Sequence, residues 1–156
     1  MRTILTKLCI TVAISTIAAL GADNSLGTWK LNMEKSKYTP APMPVKSLNV
    51  TREAADGGVK QTTTGEQADG TAINATYTAK YDGKDVPVTG NAPYDMIALK
   101  QANANTYTDT RKKTGGSYSA TGRAVISNAG KTMTMTIKGT NGEGKPFTAV
   151  FVFDKQ

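Results

Sequence analysis

Turn signals recur about every 10 to 14 residues along most of this chain, and they constrain its fold more than any other feature. Asp-Gly, Asn-Gly and Gly-Gly pairs tolerate the positive φ angles of tight hairpin turns. Between the turns, Thr, Val, Ile and Tyr alternate with polar residues. The pattern therefore predicts an all-β fold, with antiparallel strands near 27–33, 46–54, 59–67, 71–81, 85–89, 94–102, 105–113, 117–127, 131–139 and 146–153.

Strands joined in sequence by short hairpins form an up-and-down meander. A long meander leaves exposed edges unless it closes on itself, so we expect a closed antiparallel barrel of about 8–10 strands. The segment 36–44 contains three prolines, which have no N–H for a central ladder. We predict that it is an extended loop across one end of the barrel.

The first segment, 1–22, is predicted to be a signal peptide and to lie outside the fold. Arg2 and Lys7 form a basic start, 8–20 is apolar, and small residues follow at a cleavage point. The apolar run of about 13 residues is short for a membrane span. We therefore expect an exported protein, periplasmic or extracellular, without stable membrane insertion. Its mature part, 23–156, is expected to be one domain and a monomer.

The composition excludes several classes of site. The chain has no histidine, and its one cysteine, Cys9, lies in the predicted signal peptide. The mature chain therefore lacks the usual zinc and copper ligands and both the Ser-His and Cys-His nucleophile pairs. Asp82 and Asp85 flank Gly83, where aspartate supports a turn. We expect no metal, no cofactor and no enzymatic activity.

The basic charge is spread along the chain. The formal net charge of +7 falls to about +5 once the two basic residues of the signal peptide are removed. The densest basic run, 111–113, stands beside a glycine pair and is short. A nucleic-acid interface would need a larger basic stripe with interleaved aromatic residues, so no nucleic-acid partner is expected.

Side-chain alternation assigns faces within the predicted strands. Residues two apart in a strand share a face, and the more apolar face is expected to point inward. In four of the strands this face also carries Tyr, Met or Arg. These positions are the candidate ligand-binding residues Arg52, Tyr77, Tyr107, Arg111, Met133 and Met135, and the pattern leaves open whether Arg52 and Arg111 face inward or outward.

An inward arginine needs a carboxylate, because a buried unpaired charge costs several kcal/mol. The carboxylate comes either from the protein, where Asp109 shares a face with Arg111, or from a ligand with an anionic end. One hypothesis is accordingly a non-enzymatic binding protein for a small, partly apolar ligand. The alternative is a barrel packed by its own side chains, which acts as an envelope or extracellular interaction module through its doubly apolar last strand, 147–153.

The string GTWKL at 27–31 resembles the first strand of the calycin superfamily, which includes lipocalins and the fatty-acid-binding proteins. The wider run GTWKLNMEKSKYTP, with YDGKDVPVTG, is similar to short exported bacterial lipocalin-like proteins of unassigned activity. The resemblance implies a calycin-like barrel around a small hydrophobic or amphipathic ligand. It also implies that Trp29 closes one end, with Lys155 or Arg123 packed across its ring. The Arg and Tyr clamp on the last strand of the fatty-acid-binding proteins has no counterpart in 147–153.

Overall fold

The computed structural model describes residues 22–156, which form an all-β, nearly closed antiparallel barrel. All of the predicted signal peptide except Ala22 lies outside the described residues. Within 22–156, no helix has the length and apolar character that crossing a bilayer requires. The strands are β1 (Gly27–Leu31), β2 (Lys37–Thr39), β3 (Val45–Ala55), β4 (Gly58–Gln67), β5 (Ala72–Lys80), β6 (Val86–Pro87), β7 (Thr89–Gly90), β8 (Met96–Asn103), β9 (Thr106–Lys112), β10 (Ser119–Ile126), β11 (Thr132–Thr140) and β12 (Pro146–Lys155).

The order of strands in the sheet follows the chain almost throughout, as expected for a meander. The order is β6-β8-β9-β10-β11-β12-β1-β3-β4-β5-β7. In the middle of β1, Trp29 stands opposite Lys155 of β12 on one side and Val50 of β3 on the other. The first strand therefore joins the end of the meander to its beginning.

The segment 86–90 links the two remaining edges of the sheet. Its first half, β6, pairs with β8, and its second half, β7, pairs with β5. Val88 lies between the halves, is buried, and donates its N–H to the Asp95 carbonyl at 2.8 Å. Pro87 has no N–H with which to continue one ladder, so the chain passes from one edge to the other. We call the gap between β5 and β8 the seam.

The prediction of 8–10 strands is wrong, because the sheet has 12. One extra strand arises where the predicted strand 85–89 divides into β6 and β7. The other is β2, in which Tyr38 pairs with Ala149 of β12, so that part of the predicted loop 36–44 is strand. The three prolines that follow Tyr38 end this short ladder.

The two ends of the barrel differ. At one end, the residues before β1 cross the opening, and Asn24 donates its N–H to the carbonyl of Ala104 at 2.9 Å. We call this the closed end. The opposite end is surrounded by the connections 32–44, 91–95, 113–118 and 141–145, and we call it the loop end.

The interior face is the one that alternation predicts. In β5, Ala75, Tyr77 and Ala79 are buried, and in β11 Met133 and Met135 are buried. The outward positions between them are exposed or half-buried. The prediction of inward faces for these two strands is therefore confirmed.

Candidate functional site

A cavity of about 530 Å³ lies inside the barrel and reaches the loop end. Most of the side chains around it are apolar or aromatic. This volume falls within the roughly 300–1,000 Å³ typical of small-molecule sites. We call it the barrel cavity, and its walls include Val50, Ala75, Met133, Met135, Phe151 and Phe153.

One ion pair stands in the wall of the barrel cavity. Arg111 donates from Nε to Oδ1 of Asp109 at 2.6 Å and from Nη2 to Oδ2 at 3.2 Å. The side chains of Arg111 and Asp109 are only 11% and 1% exposed. Desolvation by itself lowers the pKa of Arg111, but the Asp109 carboxylate offsets it and raises that pKa well above its ordinary value. The guanidinium and the carboxylate form an ion pair that is neutral as a unit.

A glycine on the neighbouring strand makes room for this carboxylate. Gly122 of β10 stands directly opposite Asp109 of β9. A Cβ at position 122 would lie 2.5 Å from Oδ2 of Asp109, closer than real Cβ contacts allow. The absence of a side chain at Gly122 therefore lets Asp109 turn inward toward Arg111.

Four aromatic rings form a continuous surface beside the ion pair, which we call the aromatic wall. Tyr94 stacks on Tyr118 with centroids 5.7 Å apart, Tyr118 lies 5.9 Å from Phe147, and Phe147 stacks on Tyr38 at 5.5 Å. The guanidinium carbon of Arg111 lies 5.2 Å from the Tyr94 ring centroid, within cation–π range. Burial raises the pKa of Tyr118 to about 12, so its hydroxyl stays neutral at physiological pH.

A second polar group lies deeper in the barrel cavity, toward the closed end. The side chain of Gln61 accepts the hydroxyl of Tyr77 at 2.9 Å and donates to Thr63 Oγ1 at 3.2 Å. Gln61 and Thr63 both line the cavity. Tyr107 lies nearby in the lining, and burial raises its pKa to about 12. These groups offer neutral hydrogen-bonding partners.

The closed end contains a buried cation, Arg52, which is 1% exposed. Its guanidinium donates to Ser25 Oγ at 3.0 Å, to Gln61 Oε1 at 2.6 Å and to the hydroxyl of Tyr81 at 3.0 Å. The hydroxyls of Ser25 and Tyr81 in turn donate to the two carboxylate oxygens of Asp23. Asp23 therefore compensates the charge of Arg52 through two bridging hydroxyls rather than by direct contact.

Trp29 lies beside this network and is fully buried. Its indole Nε1 donates to the backbone carbonyl of Ser25 at 2.8 Å. The ammonium of Lys155 lies 5.1 Å from the ring centroid, in cation–π range. Arg123 is exposed, on the outward face of β10. Lys155, not Arg123, is the basic residue that the structure places against the tryptophan.

The structure places four of the six candidate ligand-binding residues in the cavity lining and two outside that lining. The two are Arg52 and Tyr77, which are buried and hydrogen-bonded to Gln61 of the cavity lining. The four that line the cavity are Tyr107, Arg111, Met133 and Met135.

Sequence reasoning missed the aromatic wall. Tyr94 and Tyr118 fall at the start of the predicted strands 94–102 and 117–127, but in the structure they lie in the connections that precede β8 and β10. A signal was present for Tyr118, because it has the same parity as the inward residues Ala120 and Ala124 of β10. The last strand is apolar on both faces in sequence, and the structure turns Phe151 inward to the cavity.

Comparison of the chain with protein-family models and with curated proteins finds no match to either. The function proposed below therefore depends on the cavity and on the side chains that surround it.

Proposed function

We propose that this chain is a non-enzymatic binding protein that holds a small, partly apolar molecule in the barrel cavity. The observation that carries the proposal is the volume of about 530 Å³ between apolar walls. A barrel filled by its own side chains has few voids larger than a water molecule. An unfilled apolar interior of this size favours a ligand over packing as the reason for the cavity.

The internal ion pair changes the kind of ligand that we expect. The sequence left open whether Arg111 meets a carboxylate of the protein or of a ligand. Asp109 supplies it, with two hydrogen bonds at 2.6 and 3.2 Å. Arg52 is likewise satisfied by protein groups. Neither arginine requires an anionic ligand, so the binding proposal rests on the cavity rather than on unpaired charge.

We further propose that the barrel is calycin-like and that the mature protein is exported as a monomer. The calycin resemblance is supported by the position of Trp29 on β1, buried at the closed end with Lys155 over its ring. The basic and apolar segment 1–22 supports export to the periplasm or beyond. In this proposal the ligand is an extracytoplasmic small molecule.

Titration with Nile red, a neutral dye whose emission rises in apolar surroundings, tests the binding proposal. The Ala75→Phe variant places a ring in the cavity, because Ala75 lines it and is 7% exposed. The matched control is Thr78→Phe, which adds a ring to the exposed face of the same strand. We expect wild type and Thr78→Phe to bind the dye and Ala75→Phe to bind it at least about tenfold more weakly, about 1.4 kcal/mol.

Absence of dye binding by the wild type would contradict the proposal. Equal binding by all three proteins would place the dye outside the barrel and contradict it as well. Either result would favour the alternative, an interaction module with no small-molecule ligand.

A further inference from the structure

We propose that the barrel cavity selects an uncharged ligand that has a flat ring and a carbonyl or hydroxyl oxygen, and that the Asp109–Arg111 pair makes it reject carboxylates. This inference rests on the proposed function and names its ligand class. Three features of the cavity wall carry it: the neutrality of the pair, a remaining donor on Arg111, and the aromatic wall.

The neutrality of the pair disfavours an anionic ligand. The Asp109 carboxylate is 1% exposed and already holds two donors of Arg111. A ligand carboxylate that approached Arg111 would lie near this buried anion and would lose its own hydration. Like charges in a site of low dielectric repel strongly, and an unpaired buried charge costs several kcal/mol. The pair therefore excludes the ligand that a lone inward arginine would attract.

Arg111 nevertheless keeps one guanidinium nitrogen, Nη1, whose two N–H groups can donate to a neutral oxygen. Its side-chain hydrogen bonds among residues 22–156 use Nε toward Asp109 and Nη2 toward Asp109 and the Met135 sulfur, the last at 3.1 Å. Nη1 is left as a donor for a group in the cavity, which Arg111 lines. A carbonyl or hydroxyl oxygen accepts such a bond without bringing a charge. Arg111 is thus a specificity-determining residue, and Asp109 positions it.

The aromatic wall favours a flat ligand. Its rings overlap neighbour to neighbour at interplanar angles of 19°, 28° and 37° and centroid separations of 5.5 to 5.9 Å, and all four line the cavity. A flat aromatic ligand gains edge-to-face or offset contacts with rings in a cavity lining, beyond the area that it buries. Arg111 lies over Tyr94 at the end of this wall and also lines the cavity, so one ligand can contact the rings and the guanidinium together.

Three probes with one skeleton test the inference by isothermal titration calorimetry at pH 7. They are 2-naphthamide, which is neutral with a carbonyl, 2-naphthoate, which is anionic, and naphthalene, which has no acceptor. For the wild type we expect the amide to bind at least about tenfold more tightly than either of the others. Arg111→Met should abolish the preference of the amide over naphthalene.

Removing the internal anion should reverse the discrimination between the amide and the carboxylate. Asp109→Asn leaves Arg111 charged without its partner, so we expect naphthoate to gain at least about tenfold and to overtake the amide. Asp85→Asn is the control, because Asp85 is an exposed partner of Lys112, and its removal should leave every ratio unchanged. If Asp109→Asn does not fold, the relative affinities of the three probes for the wild type decide whether the proposed ligand class is right.

The outcomes separate this inference from the proposed function. If Nile red binds to the wild type but naphthoate binds as tightly as the amide or more tightly, the ligand class is wrong and the binding function stands. Dye binding with no affinity for any naphthyl probe also overturns the ligand class. If neither the dye nor any probe binds, the proposed function itself fails, and this inference fails with it.

Discussion

Asp23 is expected to stabilise the whole barrel from outside its strands, through the buried cation Arg52. Its carboxylate accepts a hydrogen bond from the Ser25 hydroxyl at 2.5 Å and another from the Tyr81 hydroxyl. The oxygen of each hydroxyl in turn accepts a hydrogen bond from the Arg52 guanidinium at 3.0 Å. Asp23→Asn keeps the shape but removes the charge and one of the two acceptors. Losing one charge-assisted bond costs about 1.5–3 kcal/mol.

That loss should be visible in a thermal melt of the mature protein. For a domain of this size, about 4 °C corresponds to 1 kcal/mol, so Asp23→Asn should lower Tm by about 6–12 °C. The control is Asp56→Asn, whose carboxylate is fully exposed and lies 3.8 Å from the Lys80 ammonium. Exposed pairs of this kind contribute little, so no measurable change in Tm is expected for the control.

A double-mutant cycle decides whether the effect passes through Arg52. In an Arg52→Met background no buried cation remains, so Asp23→Asn should have little further effect on the free energy of unfolding. If Asp23→Asn lowers Tm by the same amount in both backgrounds, the charge compensation argued here is wrong. The same conclusion follows if Asp23→Asn behaves like Asp56→Asn.

Trp29→Ala should lower the free energy of unfolding by about 3–5 kcal/mol, because Trp29 is fully buried. An unchanged midpoint of urea unfolding, followed by circular dichroism, would refute the role of Trp29 in closing the end of the barrel. Burial raises the pKa of Tyr107 from its ordinary 10.0 to about 12, so its stabilising effect is complete below pH 10 and is lost as the pH rises through 12. The free energy of unfolding should fall by about 2–3 kcal/mol by pH 12 because of this residue. The urea midpoint of Tyr107→Phe should therefore fall less than that of the wild type between pH 9 and pH 12. Mass spectrometry of the exported product should find an N-terminus between about Gly21 and Asp23; an intact N-terminal methionine would show that segment 1–22 is retained.

Most of the fold was predictable because turn chemistry and alternation are local properties of the chain. The predicted strand 131–139 is β11 (Thr132–Thr140), and the predicted strand 146–153 is β12 (Pro146–Lys155). The exceptions depend on a partner strand. β2 has three residues, too few to show a period, and its pairing is set by β12. The division at Val88 likewise depends on two edges that exist only once the barrel has nearly closed.

The site was predictable where it lies on strands. Alternation put Asp109 and Arg111 on one face of β9, and the structure pairs them there. It also put Arg52 on the apolar face of β3 without deciding whether the side chain points inward. The structure buries it, and its partners Ser25 and Tyr81 come from a segment and a strand end that closure brings together. Alternation assigns a face to a residue and gives no information about which distant residues will meet it.

The seam between β5 and β8 determines where the barrel should open locally in solution. Each edge there is held by a two-residue ladder, from β6 or β7, and by an isolated bridge between Asp82 and Lys100, whereas β3 and β4 pair along nearly their whole length. Local opening occurs where backbone pairing is shortest. Amide protons along this edge should therefore exchange with solvent earliest among the strands, and local opening of the seam would give a molecule a sideways route to the interior that leaves the tryptophan end untouched.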